Sequence, residues 1–456
     1  MLIHKVLRRV LPGVAAAGAL LASAIVPTST LAQQPEQYFP VASMRVGPYN
    51  AMGTGIFGGV IDYLNYVNIK HGGVNGVKLV YEECETEYNA ARNVECYQRL
   101  LTGPNGQKML VWDPYGTPLA YAVIGRVAAD NVVLAQAGYG RTDAADGRVW
   151  PWVFGATANY WSQIGMKLNF IAQQEGGIEK MKGKTVVHLH IDTAYGREPL
   201  PAMREIAKNW GFRLVEIPIA PPGLEQQSQW LQIRKEKADW VTFWGAGAGM
   251  SGTALTTAAR VGFPRNKIIF VTFGGAEEDM IAGGAAAKDT HVVAMVLPGK
   301  EWPLIADIEK VLYKDNPGKG NMQNPNRVGT IYYNRGVIAA ANYIQAMKNA
   351  QRIHNKVGKP INGAEFRDGY EAIDWRSAET RKEYGIDGMI PPYRLTCRDH
   401  EGAGTFHMMQ WDGAKFQIVT KDWMAAPDPK FIRKLIEDSA EKYAKENNIK
   451  LRDCPE

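Results

Sequence analysis

Apolar and polar positions along the chain switch repeatedly between a strand-like and a helix-like period. A strand is expected over 44–48. It leads into Asn50-Ala51-Met52-Gly53-Thr54-Gly55, after which Ile56, Val60, Leu64 and Val67 recur at helical spacing. Gly72-Gly73-Val74-Asn75-Gly76 turns the chain into a second strand, 77–81, and Thr86 and Asn89 are placed to cap a helix running through Val94, Tyr97 and Leu101. Strands near 108–112 and 131–136 continue the alternation, which implies parallel βαβ units with right-handed crossovers. Near Trp150-Pro151-Trp152-Val153-Phe154 the pattern restarts: helix 160–175, strand 184–191, helix 196–210, strand 212–217, helix 226–237, strand 239–244, helix 250–262 and strand 267–273. The fold class read from this is α/β, with two doubly wound units. His291 to Leu297 forms a further apolar run. The helices after it, about 301–314 and 328–351, have no sheet of their own and are expected to return to the first unit. Residues 405–420 read as a hairpin around Asp412-Gly413, followed by a charged terminal helix over 429–447 taken as a solvated face. The segment 314–327 reads as a surface loop, and 352–396 carries no clear period.

Five of the apolar runs end in glycine-and-aromatic loops. Leu110–Trp112 runs into Asp-Pro-Tyr-Gly-Thr (113–117), Val132–Leu134 into Gly-Tyr-Gly (138–140), and Val186–Ile191 into Asp-Thr-Ala-Tyr-Gly (192–196). Trp240–Trp244 runs into Gly-Ala-Gly-Ala-Gly (245–249) and Ile268–Phe273 into Gly-Gly-Ala-Glu-Glu (274–278). In open parallel sheets ligands bind outside the carboxyl ends of the strands, so these loops are expected to build a cleft. Aromatic side chains offer it broad apolar faces with polar tips, suited to a small aromatic carboxylate or a hydrophobic amino acid. A cage for a quaternary amine is a third possibility.

Composition narrows the setting. Lys5, Arg8 and Arg9 precede an apolar stretch from Val10 to about Val26 and then Thr30-Leu31-Ala32, the layout of a secretory signal peptide cleaved after Ala32. Cleavage would leave 424 of 456 residues, enough for two or three domains, with no later segment apolar enough to cross a membrane. The net charge of +6 falls to +3 without the leader, which implies no nucleic-acid partner. All four cysteines lie in the exported part, where disulfides are the default and three pairings are open. Cys84 ends a strand and Cys96 lies in the helix returning past it, which favours that pair and leaves Cys397 with Cys454.

Two sharper signals are weighed against plainer ones. Gly247-Ala248-Gly249-Met250-Ser251-Gly252 satisfies G-x-G-x-x-G after a strand and before a helix, but no acidic residue ends the next strand cleanly, so close packing at the helix start is the preferred reading. His188 and His190 share one face of a strand, without a clear third ligand beside them, and are read as structural. No nucleophile elbow or metalloprotease helix occurs, and neither a cofactor, a metal nor a catalytic residue is expected.

Several motifs in order carry a resemblance. They are His71-Gly72-Gly73-Val74-Asn75-Gly76, Glu82-Glu83-Cys84-Glu85, Asp192–Gly196, Ala238-Asp239-Trp240-Val241, Arg260-Val261-Gly262-Phe263 and Gln410-Trp411-Asp412-Gly413. Over roughly 40–425 the chain resembles the leucine/isoleucine/valine-binding, or type I, family of ABC-transporter solute-binding proteins. The resemblance implies two α/β lobes joined by multiple hinge crossings, ligand captured between them, and delivery to a membrane permease. The lobes are expected at 33–155 with about 297–404, and about 156–296 with 405–425, followed by a helical extension at 426–456. A periplasmic monomer is expected. A ligand sensor reporting to a receptor, or a secreted Rossmann-type enzyme, are the alternatives.

Carried over residue by residue, the family's loops for an amino-acid carboxylate fall on 113–117 and 137–140. Thr117 keeps a hydroxyl there, while the usual small hydroxyl positions fall on Tyr or Pro, Tyr115 and Tyr139 among them; Gly138, in the second loop, is also a candidate. Tyr195 matches a position that closes over ligand, Trp244 an aromatic pocket wall, and Glu277 the acidic residue that receives an ammonium group. Asn50 and Phe273, at other strand ends, complete the candidate set.

Overall fold

The structure is a computed structural model that describes residues 34–455, so the expected signal peptide and its cleavage site lie outside the described residues. Residues 35–456 form one compact unit. Its strands fall into two groups. In the first, β1 (Glu36–Tyr38) pairs with β3 (Lys78–Val80) and β2 (Val41–Ser43) with β4 (Glu83–Glu85). There β5 (Val111–Trp112), β6 (Val133–Ala135) and β7 (Val153–Phe154) make a three-stranded parallel sheet. The second is a seven-stranded sheet built from β8 (Thr185–Ile191), β9 (Arg213–Ile219), β10 (Trp240–Trp244), β11 (Ile268–Phe270), β12 (His291–Ala294), β13 (His407–Trp411) and β14 (Phe416–Ile418). Its order is β14-β13-β12-β11-β10-β8-β9, parallel from β9 to β12 and antiparallel at β13 and β14. Every residue of β8 is buried, which is why Thr185–Ile191 reads as a continuous apolar run with two histidines in it.

These are the two lobes of an α/β fold. The chain passes between them after β7, after β12 and again before β13. The helix Ile331–Ile353 returns to the first lobe and packs along the helix Asn50–His71. The two backbones meet at glycines: a Cβ on Gly336 would lie 1.9 Å from the Ile56 carbonyl oxygen, and one on Gly59 2.2 Å from that of Tyr333.

Most expected elements are present, and the exceptions have local causes. The strand expected over 44–48 lies earlier, as β1 and β2, because Gly47 takes a left-handed φ of 84° and turns the chain before the helix. The helix expected over 196–210 is two pieces, Ala194–Arg197 and Leu200–Trp210, since Pro199 and Pro201 cannot donate to preceding turns. Strand β11 stops at Phe270, where Gly274 N–H donates to Val271 O (3.0 Å) in a turn. The region 352–396 holds the helices Gly363–Glu371 and Ala378–Glu383. The terminal helix Pro429–Glu446 is not simply a solvated face: Ile432, Ile436, Ala440 and Ala444, four residues apart, are buried. Its Tyr443 stacks on Trp150 at 4.6 Å, and Ile432 packs by Gly165. Both disulfides join the favoured pairs, Cys84–Cys96 and Cys397–Cys454.

Candidate functional site

Strand order locates the crevice. From β8 the sheet runs to β9 on one side and to β10, β11 and β12 on the other, so the loops after β8 and β10 diverge and leave a switch-point opening. Tyr195 follows β8 and Trp244 ends β10. Tyr195 Oη donates to Gly245 O at 3.0 Å, tying the two loops together. Tyr160, the first residue of the helix Tyr160–Glu175, is set by its Asn159 cap, whose side chain accepts from Ser162 N–H at 2.9 Å. Its ring meets Trp244 edge-on at 5.4 Å and lies 5.6 Å from Tyr195, while Phe273, just past β11, stands 6.3 Å from Tyr160.

The first lobe supplies the opposite wall from the loops after β5 and β6. Tyr139 Oη accepts from Tyr115 N–H (2.9 Å) and donates to Asp113 (2.6 Å), and Tyr343 Oη donates to the other Asp113 oxygen. Burial raises the Asp113 carboxyl to about 7, opposed by these two phenols. Tyr115 and Tyr139 stack at 5.4 Å. Tyr115 and Tyr88 both hold positive φ, 48° and 57°, a conformation bulky residues rarely adopt. Tyr88 packs on Tyr49 at 4.4 Å, and both add to the electrostatic surroundings of Tyr195. The lobes touch here: Thr117 Oγ1 and Tyr160 Oη share a hydrogen bond of 3.1 Å, and Tyr139 faces Phe273 edge-on at 6.2 Å. The cluster is nearly closed to solvent, with Tyr115 at 2 %, Tyr160 at 1 % and Trp244 at 0 % exposure.

One charge sits among these rings. Arg335, on the helix Ile331–Ile353, is 2 % exposed and lies 3.7 Å above the Phe273 ring. The charge of its guanidinium is felt by the hydroxyls of Tyr115, Tyr160, Tyr195 and Tyr332. Lys167 also lies against Trp244, at 4.6 Å, but burial pushes its amine well below the ordinary lysine range.

Thus Tyr115, Thr117, Gly138, Tyr139, Tyr195, Trp244 and Phe273 meet in one cluster, with Gly138 O accepting from Gln163 across the lobes at 2.8 Å. Asn50 does not join them: it is exposed at the start of its helix. Glu277 stands beside the cluster, one oxygen accepting from Ile331 N–H of the first lobe at 2.9 Å, and burial followed by the Glu278 charge raises its carboxyl to about 8. Its neighbours also cross: Glu278 pairs with Arg327 at 2.7 Å, and Tyr332 donates to Phe273 O at 2.7 Å. The sequence reading missed Tyr49, Tyr88, Tyr160 and Arg335; the one available signal for Arg335 is a lone charge within the otherwise uncharged helical run 331–347.

The motifs read as structural remain so in place. His188 bonds Thr242 Oγ1 (3.0 Å) and Gly196 O (3.1 Å), and stacks on His190 at 5.1 Å. Gly247, at the head of the glycine motif, lets Pro48 and Tyr49 approach: a Cβ there would lie 2.8 Å from Pro48 O. Among the described residues no group of three or more His, Cys, Asp or Glu is arranged to hold a metal ion. Nor is any helix among the described residues long and apolar enough to cross a membrane.

Residues 37–415 match the family model described as periplasmic binding protein. The chain belongs to this family. A comparison with curated proteins yields no match. Among solved structures, this periplasmic binding protein is similar to one described as an ABC transporter permease from the Pseudomonas fluorescens group, with 39 % identity, TM-score 0.84, and 92 % of this chain and 99 % of that one covered. A branched-chain amino acid ABC transporter protein from Thermus thermophilus, with bound valine, shares the fold at 18 % identity and TM-score 0.73, over 88 % of this chain and 99 % of that one. A solute-binding protein from R. palustris in complex with benzoate does so at 17 % and 0.62, over 87 % and 98 %. The binding-protein fold is therefore the type I fold, two doubly wound α/β lobes with multiple crossings.

Proposed function

We propose that this periplasmic binding protein is the solute-capturing component of an ABC importer. It closes on a small organic ligand, a hydrophobic or branched-chain amino acid or an aromatic carboxylate, and delivers it to a membrane permease. The observation that carries the reading is the buried ring of Tyr115, Tyr139, Tyr160, Tyr195, Trp244 and Phe273, drawn from both lobes and bridged by Thr117 and Tyr160. Side chains that meet only when two lobes close bind by enclosure, and such closure needs no catalytic group. The valine and the benzoate named for the two neighbours define the ligand classes to be tried first.

In this reading the exported chain begins after Ala32 and works in the periplasm as a monomer. The lobes are 33–155 with about 297–404, and about 156–296 with 405–425. The terminal helix, which touches both Trp150 and Gly165, straps across the crossings. The test is a thermal-shift screen of the purified protein against branched-chain and aromatic amino acids and aromatic acids, with small-angle scattering on each hit. A ligand at about 100 times its Kd should stabilise the fold by about 2.7 kcal/mol. Tyr195→Ala should weaken the best hit at least tenfold. Absence of any shift across both classes, with an unchanged scattering profile, refutes the reading.

A further inference from the structure

Arg335 is bonded unlike Arg381, the other buried arginine among the described residues. Arg381 is 9 % exposed and meets Asp387 at 3.0 Å, Trp375 O at 2.6 Å and Arg376 O at 2.8 Å. Arg335 is more deeply buried, yet its terminal nitrogens reach only Thr272 O and Ala137 O, each at 3.3 Å, and Thr272 Oγ1 at 3.5 Å. These lie beyond the usual range for N–H···O bonds. Its Nε has no acceptor, and among the described residues no carboxylate lies within ion-pair distance. Asp113, whose carboxyl feels the Arg335 charge, has both oxygens taken by Tyr139 and Tyr343. A guanidinium stays charged in proteins, and burying one without a counter-charge is costly, so an anion that completes the pair is met with a strong attraction. Two further buried donors nearby are unpartnered, the Tyr115 hydroxyl and the Trp244 indole N–H.

The acidic side of the cleft is engaged elsewhere. Glu277 holds Ile331 N–H, Glu278 pairs with Arg327, and Asp279 accepts from Tyr332 and from Ala276 N–H. Glu278 and Asp279 each keep one unpaired oxygen. Among the leading charges acting on Tyr195, however, Arg335 is present and these three carboxylates are not; Tyr160 feels Glu198 ahead of Arg335, and Glu198 is itself engaged by the Tyr121 hydroxyl and Thr142 N–H.

We propose that Arg335 is the anion anchor of the cleft and that the ligand is a small apolar or aromatic carboxylate lacking an α-ammonium group. The inference rests on the ligand-capturing reading above. The fixed fork of the guanidinium takes a carboxylate in two parallel bonds, the Tyr115 hydroxyl and Trp244 N–H supply further donors, and the surrounding rings hold the apolar body. A cationic ligand is disfavoured by the same charge, which sets aside a quaternary amine.

The test uses calorimetric titration of the purified protein with matched probes: benzoate, phenylacetate and 4-methylpentanoate; phenylalanine and leucine, which add the ammonium; benzamide, which removes the charge; and benzyltrimethylammonium. The expected result is that the best carboxylate binds at least tenfold tighter than its amino-acid or amide counterpart. Arg335→Met should weaken it at least a hundredfold while raising the melting temperature of the ligand-free protein, because a buried unpaired charge has gone. Arg335→Lys, which keeps the charge without the fork, should fall between and covers a failure of the first variant to fold. Glu277→Gln should change carboxylate and amino-acid affinities by the same factor. Tighter binding of the amino acid with its selective loss in Glu277→Gln, or unchanged carboxylate binding in both Arg335 variants, overturns the anchor and leaves ligand capture standing. Absence of binding by every probe class counts against ligand capture itself, and the anchor falls with it.

Discussion

Glu277 gives the sharpest quantitative expectation. Its carboxyl sits near 4.5 when solvated and at about 8 in the folded protein, with burial the leading cause and Glu278 the next. Because the folded-state value is raised, the folded protein binds the proton more tightly than the open or unfolded chain does. Stability is therefore full below pH 4.5, declines as the pH rises, and levels off once the folded-state value is passed. At about 1.4 kcal/mol per pH unit, the loss at pH 7 is about 3 kcal/mol. Glu277→Gln keeps a carbonyl oxygen for Ile331 N–H and cannot ionise, so it removes the loss without removing the contact. Urea unfolding of both proteins at half-unit steps from pH 4.5 to 8 should show equal stability at the acid end and a widening gap in favour of the variant, reaching about 3 kcal/mol at pH 7. Asp113, Glu198 and Glu401, also raised to about 7 by burial, contribute to both curves and cancel in the difference, whereas Asp279, whose charge acts on Glu277, adds to the gap. Parallel stability profiles across the whole range would refute the argument that closure buries an ionisable Glu277.

Three further outcomes follow from packing and covalent links. Gly336→Ala drives a methyl group to 1.9 Å from Ile56 O, so chemical denaturation should show a loss of about 3 kcal/mol as the two helices separate. Ile436→Ala, at a position with 0 % exposure, should cost about 3 kcal/mol by the same assay, whereas a merely solvated helix would cost almost nothing. Replacing Cys397 and Cys454, which close 57 residues, should lower stability by about 4 kcal/mol, against about 3 kcal/mol for Cys84 and Cys96, which close 12; equal losses would contradict a loop-entropy origin.

The parts of this protein that depend on local order are legible along the chain. Periodicity marks an element whose one face must be buried, so the strands from β8 to β12, the intervening helices and the hairpin at Asp412-Gly413 were legible, as were glycine-and-aromatic loops at the strand ends. Cys84–Cys96 could also be favoured from neighbouring elements, with Cys397–Cys454 following by elimination. Short strands such as β5 and β7, two residues each, carry too few positions for a period, and Gly363–Glu371 and Ala378–Glu383 are too short to stand out. Which side chains from distant segments come together depends on long-range packing. Arg335 lies about 60 residues beyond Phe273, on a helix whose destination is set by packing at Gly59 and Gly336, and no pattern along the chain records that its charge ends over an aromatic ring. Glu277, which the family resemblance places where an acidic residue receives an ammonium group, accepts a backbone N–H from Ile331 of the other lobe, a contact that only long-range packing creates. Local pattern fixes which residues line a strand end; long-range packing fixes what they meet there, and the chemistry of the ligand depends on the second.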